Sequence, residues 1–231
     1  MRRDVVVSSP DLPEHLEHRS ARQDGAIDDE RRFAGRLTAV GLARRAWHTD
    51  AVIVALAGRR TDPLGAAQAR FPVENLATVA MRVQRMLVRL RPLALVSSAA
   101  CGADLVGLDV ARKLRIRRRI VLPFGTTLFR DSSVTDRPGD WSDRFDVHIM
   151  ETSGSHDLVV LGLGQGDYAY RVATQRILDE ATALGGTAGN VTAIVLWEGT
   201  SRGAGDITLD FAARARSRRI PVLSINTLTS I

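Results

Sequence analysis

The sequence has very little cysteine, lysine or aromatic content, and each scarcity excludes something. A single cysteine, Cys101, among 231 residues excludes an internal disulfide bond, which agrees with a cytoplasmic location. No apolar run approaches the roughly 18 residues that a membrane-spanning helix needs, and the start of the chain lacks the apolar stretch of a signal peptide. Aromatic residues make up only 5% of the chain. We therefore expect a cytoplasmic protein whose core is filled by aliphatic side chains.

Positive charge comes almost entirely from arginine, because Lys113 is the only lysine and the net charge is +6. A basic chain favours anionic ligands. Acidic residues are interspersed with the arginines, however, which argues against a nucleic-acid partner. The densest basic run, 115–119, is predicted to be a solvated helix end. No cluster of metal-ligand residues and no Ser/His/Asp arrangement stands out, so the sequence predicts neither a metal nor a cofactor.

The chain divides into a polar N-terminal arm, 1–50, and a domain, 51–231. The arm contains an amphipathic segment that predicts a helix over 28–46. In the domain, buried strands are expected at 51–56, 93–96, 120–124, 157–161, 191–197 and 220–225. Helices are expected between them at 71–91, 103–114, 167–184 and 207–216, and a long loop at 125–145. This order predicts an α/β fold with a doubly wound, mostly parallel Rossmann-like sheet and helices on both faces.

The most informative stretch is the turn between the second strand and the second helix. A turn of small residues at a helix N-terminus leaves backbone N–H groups unpaired and lets an anion approach them. The alternative is a tight connection with no ligand. A bulky side chain at Gly102 is expected to crowd the anion without disturbing the fold. The candidate ligand-binding residues of this turn are Ser97, Ser98, Ala99, Gly102, Ala103 and Asp104.

Two further turns follow strands that should end at the same edge of the sheet, where open α/β sheets bind ligands. After the first strand come Gly58, Arg59 and Arg60; we expect one of the two arginines to enter the cleft and pair with a phosphate or carboxylate. Alternatively, the two arginines are a solvated pair on a loop. The late turn is rich in glycine, and its Asp206 is expected to cap the following helix. Its candidate ligand-binding residues are Glu198, Gly199, Arg202, Gly203, Gly205 and Asp206.

The expected loop at 125–145 carries Phe129, Ser133 and Trp141. An aromatic ring beside hydroxyl groups and arginines suits a nucleobase and its sugar. Alternatively, Phe129 and Trp141 only hold the loop against the core. A loop of this length inside a compact domain is usually functional or disordered.

These turns together resemble the SLOG superfamily, a Rossmann-like group that includes the Lonely-Guy phosphoribohydrolases and the DNA-processing proteins. The resemblance rests on Gly58-Arg59-Arg60, on the run from Ser97 to Asp104, and on the segment from Trp197 through Gly205 to the strand at 220–225. It implies a nucleotide-type ligand. It also implies a role as a sensor module in bacterial signalling or defence, and it leaves open a homo-oligomer and an effector protein or domain as partners.

The chain departs from the Lonely-Guy enzymes at the residues that carry their chemistry. Those enzymes have a P-G-G-x-G-T-x-x-E pattern whose Thr binds phosphate and whose Glu supports N-glycosidic cleavage. Here Asp206 stands at the Thr position and Leu209 at the Glu position, with Asp210 one residue later. Asp210 is therefore the catalytic candidate only if the protein is a hydrolase. The first hypothesis is ligand sensing without chemistry, the second is cleavage of a nucleoside 5′-monophosphate, and the third and weakest is binding of single-stranded DNA.

Overall fold

A computed structural model of the chain describes residues 52–228. They contain a sheet of six parallel strands in the order β4-β3-β2-β1-β5-β6. The predicted α/β fold with a doubly wound sheet is confirmed. The predicted arm 1–50 and its helix 28–46 lie outside the described residues. The strands are β1 (Ile53–Gly58), β2 (Ala94–Ser97), β3 (Arg117–Leu122), β4 (Leu158–Val160), β5 (Val191–Trp197) and β6 (Val222–Asn226).

Helices cover both faces of this sheet, as the strand and helix order predicts. Two separate hydrophobic cores result, one against the first four helices and one against the last two. None of the helices between residues 52 and 228 is both long and apolar enough to span a bilayer. The helices are α1 (Leu76–Leu90), α2 (Ala103–Lys113), α3 (Thr126–Ser133), α4 (Trp141–Ser153), α5 (Asp167–Gly185) and α6 (Ile207–Ser217).

The central strands are apolar at nearly every position because each of their faces meets a core. Along β1, Val54 and Leu56 point into the core beneath α1 and α2, whereas Ile53 and Ala55 point into the core beneath α5 and α6. This is the alternation that a strand imposes on successive side chains. Continuous apolar runs such as these are typical of parallel strands buried on both sides.

The expectation of a long loop at 125–145 is wrong. Two helices, α3 and α4, occupy most of that segment and its continuation, with a short connection at 134–140 between them. The helical period is visible in α4, where Trp141, Phe145, His148 and Thr152 are its buried residues. Their spacing of three or four residues places them on one face of a helix. The many polar residues between them conceal that stripe.

The prediction that the basic run at 115–119 is a solvated helix end is also wrong. Helix α2 ends at Lys113, and Arg117, Arg118 and Arg119 form the first half of β3. Each of these three side chains pairs with an acidic group, namely Asp157, Glu151 or Glu180. The run therefore begins a strand whose charged end is neutralised, and it is not a solvated helix end.

The order of the strands places a topological switch between β1 and β5. The chain moves from β1 outward through β2, β3 and β4, then crosses to the other side of β1 to form β5 and β6. Connections that leave β1 and β5 on opposite sides open a crevice at their carboxyl ends, and ligands of open α/β sheets bind in such crevices. The turns that contain Arg59 and Asp206 meet at this crevice.

Gly58, at the end of β1, has no room for a side chain. A Cβ atom built there would lie 2.6 Å from the Cβ of Ala103 and still closer to the backbone oxygen of Leu196. Gly58→Ala is therefore expected to lower the free energy of unfolding by about 1–3 kcal/mol, because backbone and a neighbouring helix must shift. Urea denaturation measures this, with Gly164→Ala as the control, since a Cβ at Gly164 meets nothing within 4 Å. An equally small loss in both variants would show that the close packing at Gly58 is dispensable.

Candidate functional site

A cavity of about 430 Å³ lies at the carboxyl edge of the sheet. Residues that follow β2 line one end, those that follow β5 line the other, and the end of β1 lies between them. Helix α5 contributes Tyr170, Ala173, Thr174 and Ile177 to the same cavity. Its volume is within the range of about 300–1,000 Å³ usual for small-molecule sites.

Arg59 is buried and holds the turn after β1 to the turn after β5. Its guanidinium donates to the two carboxylate oxygens of Asp206 at 2.7 and 2.9 Å and to those of Glu198 at 2.8 and 3.2 Å. It also donates to the backbone oxygen of Thr200 at 2.7 Å, and Arg70 forms a second ion pair with Glu198. Arg59 lines the cavity, but two carboxylates already neutralise it.

The two carboxylates of this network are held in the ionised form. Burial raises the pKa of Asp206, but hydrogen bonds from Arg59 and from the backbone N–H groups of Arg202 and Leu209 outweigh it, and the resulting pKa is about 2. The pKa of Glu198 is also lowered, because Arg59 outweighs the effect of burial. Asp206 caps α6 through the N–H groups of Thr208 and Leu209, as the sequence predicts.

Arg60 has different partners from its neighbour, as expected for adjacent side chains in a turn. Its Nε atom lies 3.4 Å from the Sγ atom of Cys101, and its guanidinium pairs with Asp136 in the connection between α3 and α4. About a third of its side chain is exposed, and it lines the cavity. Arg60 is therefore the more accessible of the two arginines.

The turn between β2 and α2 pairs several of its own N–H groups within the protein. Ala100 donates to the carboxylate of Asp104, Cys101 to the oxygen of Ser133, and Ala103 to the oxygen of Arg59. Ser98, Ala100 and Asp104 line the cavity. This end of the cavity thus presents a carboxyl group and a hydroxyl group, and the N–H groups of Ala100, Cys101 and Ala103 are already paired.

Gly102 serves the packing of this turn. Its φ is +97°, and a Cβ there would lie 2.7 Å from both the oxygen of Arg59 and the nitrogen of Thr61. The expectation that Gly102→Val spares the fold is therefore wrong, because the new side chain would collide with the backbone of the β1 turn.

Asp104 is the most perturbed carboxyl group of the cavity. It is 8% exposed, and burial raises its pKa to about 7, against the opposing effects of the Ala100 N–H, the Ser97 hydroxyl and the charge of Arg60. A strongly shifted titratable group in a cleft marks a functional site more often than a random position does.

The turn after β5 is the more open of the two small-residue turns. Ala204, Gly205 and Ile207 line the cavity, and within residues 52–228 no acceptor pairs with their backbone N–H groups. Arg202 lines the same end, and its side chain is exposed. Unpaired N–H groups at the N-terminus of a helix favour an anion.

An aromatic cluster shapes the β2 end of the cavity. Phe129 stacks on Phe145 with ring centroids 6.1 Å apart, and Phe124 packs edge-on against Tyr170 at 5.7 Å. The hydroxyl of Tyr170 lies 2.9 Å from that of Ser133. Phe129, Ser133 and Tyr170 all reach the cavity wall.

Trp141 has a structural role at the start of α4. It is 1% exposed, its Nε1 atom donates to the oxygen of Pro138, and the guanidinium of Arg144 lies 4.3 Å from its ring centroid. Of the two roles that the sequence leaves open for this tryptophan, the contacts match the one that holds the segment against the core.

The predicted site residues thus separate into two groups. Those that line the cavity are Gly58, Arg59, Arg60, Ser98, Asp104, Phe129, Ser133, Arg202, Gly205 and Asp206. Those that lie outside its lining are Ser97, Ala99, Gly102, Ala103, Trp141, Glu198, Gly199, Gly203 and Asp210. Asp210 instead pairs with Arg214, one turn further along α6, at 2.7 Å.

Sequence reasoning missed the contribution of α5. Four residues of this helix line the cavity, namely Tyr170, Ala173, Thr174 and Ile177. Three of them, Tyr170, Ala173 and Ile177, lie on the apolar side of the helix, which the sequence predicts only to cover the sheet. Tyr170 near the helix start was the available signal, because a polar tip on a half-buried aromatic side chain needs a partner. Among the described residues, no group of three or more His, Cys, Asp or Glu side chains is arranged to hold a metal ion.

The similarity of this chain to known proteins is a similarity of structure. The structure is similar to DNA processing protein A (DprA) from Streptococcus pneumoniae, with a TM-score of 0.48 and 20% identity over 78% of this chain. The matched part is 51% of that protein, so the chain spans about half its length. No family model matches the chain, and no curated protein matches it.

Proposed function

We propose that the cavity binds a phosphorylated nucleoside or an ADP-ribose-like nucleotide, and that the protein senses this ligand and does not consume it. The observation that carries the proposal is the chemical difference between the two ends of the cavity. One end has unpaired N–H groups and Arg202, whereas the other has Asp104 and the hydroxyl groups of Ser98, Ser133 and Tyr170. A ligand that carries an anion at one end and hydroxyl groups at the other matches both.

The phosphate belongs at the turn after β5. The N–H groups of Ala204, Gly205 and Ile207 and the start of α6 provide a partial positive charge there, and Arg202 adds a full one. Asp206 does not oppose the anion strongly, because Arg59 balances its charge at hydrogen-bond distance. Apolar side chains of Phe129, Ala173 and Ile177 leave a wall against which a base packs.

Sensing is favoured over hydrolysis because the carboxylates of the turn after β5 and of α6 are engaged elsewhere. Cleavage of an N-glycosidic bond needs a carboxylate that stabilises the developing charge on the sugar and activates water. Asp210 pairs with Arg214 and does not line the cavity, and Asp206 is held by Arg59. The exposed carboxylate of Asp167 in the lining disfavours a polyanion such as single-stranded DNA.

A ligand sensor acts through a partner. We expect the ligand-bound form to act on an effector protein or domain in the cytoplasm of a bacterial cell, as the resemblance implies. The nature of that effector is a separate question from the identity of the ligand.

The binding test compares two arginines of the same region. Arg202→Gln is expected to weaken binding of a nucleoside 5′-monophosphate about 10-fold or more, which is the loss of one hydrogen bond to a charged group. Arg216→Gln is the control, since Arg216 is exposed on α6 and does not line the cavity. Calorimetric titration with the four ribonucleoside 5′-monophosphates and ADP-ribose gives the affinities.

Two results would contradict the proposal. The first is the absence of binding by the unmodified protein to every nucleotide of this panel. The second is base released from a nucleotide during incubation, detected by chromatography, because this would make the protein a hydrolase. Loss of that release in Asp210→Asn would assign the chemistry to Asp210.

A further inference from the structure

Asp104 has one carboxylate oxygen engaged and lines the cavity. Its Oδ2 atom accepts from the backbone N–H of Ala100 at 3.2 Å. Of the residue as a whole only 8% is exposed, and this remaining surface belongs to a group that forms part of the cavity wall. An ionised carboxylate has about four acceptor positions, and the Ala100 N–H occupies one of them. A ligand donor in the cavity can therefore pair with this carboxyl group, which forms part of the wall.

The surroundings of Asp104 indicate what kind of donor this is. Ser98, Ser133 and Tyr170 line the same end of the cavity and supply hydroxyl groups that both donate and accept. The strands β2 and β5 are separated only by β1, so the two ends of the cavity are roughly 10 Å apart. A phosphate bound after β5 therefore leaves the sugar and base to extend toward Asp104.

We propose that Asp104 recognises the sugar of the ligand by accepting a hydrogen bond from a ribose hydroxyl, and thereby selects ribonucleotides over deoxyribonucleotides. This inference rests on the proposed nucleotide-binding function and adds the feature of the ligand that is read. Asp104 is a specificity residue here and takes no part in bond cleavage.

The charged and titratable groups around Asp104 determine how its interaction with a ligand depends on pH. Arg60, in the turn after β1, is the cation whose charge reaches it, and Arg60 is itself paired with Asp136 and next to Cys101. The Ser97 hydroxyl and the Ala100 N–H also lower its pKa, while burial raises it to about 7. Tyr170 and Asp167 of α5 also line the cavity, as do Arg59, Asp206 and Arg202.

The ionised carboxylate is the stronger hydrogen-bond acceptor. Selectivity for a ribose hydroxyl should therefore increase as the pH rises from 6 to 8. The phosphate of the ligand also titrates near this range, at a pKa of about 6, but it is common to both ligands. The ratio of the two affinities removes its contribution.

The experiment measures the affinity of each ribonucleoside 5′-monophosphate and of its 2′-deoxy and 3′-deoxy counterparts by calorimetry at pH 6, 7 and 8. The unmodified protein is expected to prefer the ribonucleotide about 10-fold over at least one deoxy form at pH 8, and less at pH 6. Asp104→Asn keeps an acceptor for Ala100 but has no charge to titrate, so its preference should be smaller and independent of pH. Asp104→Ala should lose the preference.

Asp131→Asn is the matched control, because Asp131 is an exposed carboxylate on α3 that does not line the cavity. It should leave both the preference and its pH dependence unchanged. Equal affinity for ribo and deoxy forms, or a preference that survives in Asp104→Ala, would overturn the role of Asp104 and leave nucleotide binding intact. Absence of binding to any nucleotide would instead overturn the proposed function itself.

Discussion

Replacement of Arg59 by methionine is expected to lower the free energy of unfolding by about 3–5 kcal/mol, the usual cost of removing one partner of a buried ion pair. Arg59, Glu198 and Asp206 all have side chains no more than 3% exposed. Without the guanidinium, two buried carboxylates lose their principal counter-charge. Urea denaturation at pH 7 measures the loss, and methionine preserves most of the side-chain volume.

The control is Arg117→Gln, which breaks an ion pair with Asp157 on a side chain that is half exposed. Surface pairs of this kind contribute about 0–1 kcal/mol. The free energy of unfolding at acidic pH provides a second comparison between Arg59→Met and the unmodified protein. The stabilisation that accompanies the lowered pKa of Asp206 is present above about pH 4 and is lost as the pH falls toward 2, and this acid sensitivity should diminish in Arg59→Met. Similar losses in the two variants at pH 7 would show that the buried network is not a major source of stability.

Asp104→Asn is expected to make the protein more stable above pH 7 and to leave it unchanged below pH 4. The folded pKa of Asp104 is about 7, against 3.8 for an ordinary aspartate, so the folded state binds this proton more tightly than the unfolded chain does. The stability associated with Asp104 is then fully present below pH 4 and is lost as the pH rises through 7. The gain in the variant at pH 8 is at most about 4 kcal/mol.

The measurement is the free energy of unfolding of both proteins at several pH values between 4 and 8. Because other titrating groups are common to the two proteins, the difference between the curves isolates Asp104. Asp131→Asn again serves as the control, because it removes a carboxylate that is exposed and does not line the cavity. Parallel curves for Asp104→Asn would mean that Asp104 is ionised throughout this range.

The strands of the sheet could be predicted from the sequence because buried parallel strands consist of uninterrupted apolar runs. The strand expected at 191–197 coincides with β5, and the helix expected at 167–184 differs from α5 by one residue. The segment at 125–145 was not readable, because its helices bury few residues and polar side chains surround them. In α3 only Phe129 and Ser133 are buried, too few to establish a period.

The edge of the sheet at which the site lies could likewise be predicted, since strand ends and small residues mark it. The ion-pair network could not. Arg59 and Glu198 are 139 residues apart in sequence, and no local pattern tells that Arg59 is neutralised there. The same limit applies to Asp104, because its shifted pKa comes from burial, which depends on elements distant in the chain.

The position of β1 at the centre of the sheet bears on how the protein folds. β1 pairs with β2, which follows it closely, and with β5, which is far along the chain. Contacts between distant segments form late because they require a long loop to close. We therefore expect the turn after β5 to reach Arg59 only after β1, β2 and their helices have assembled, so that the cavity is completed near the end of folding. A ligand that contacts both ends should accordingly slow the reopening of this last-formed part, which hydrogen exchange of β5 and α6 would register.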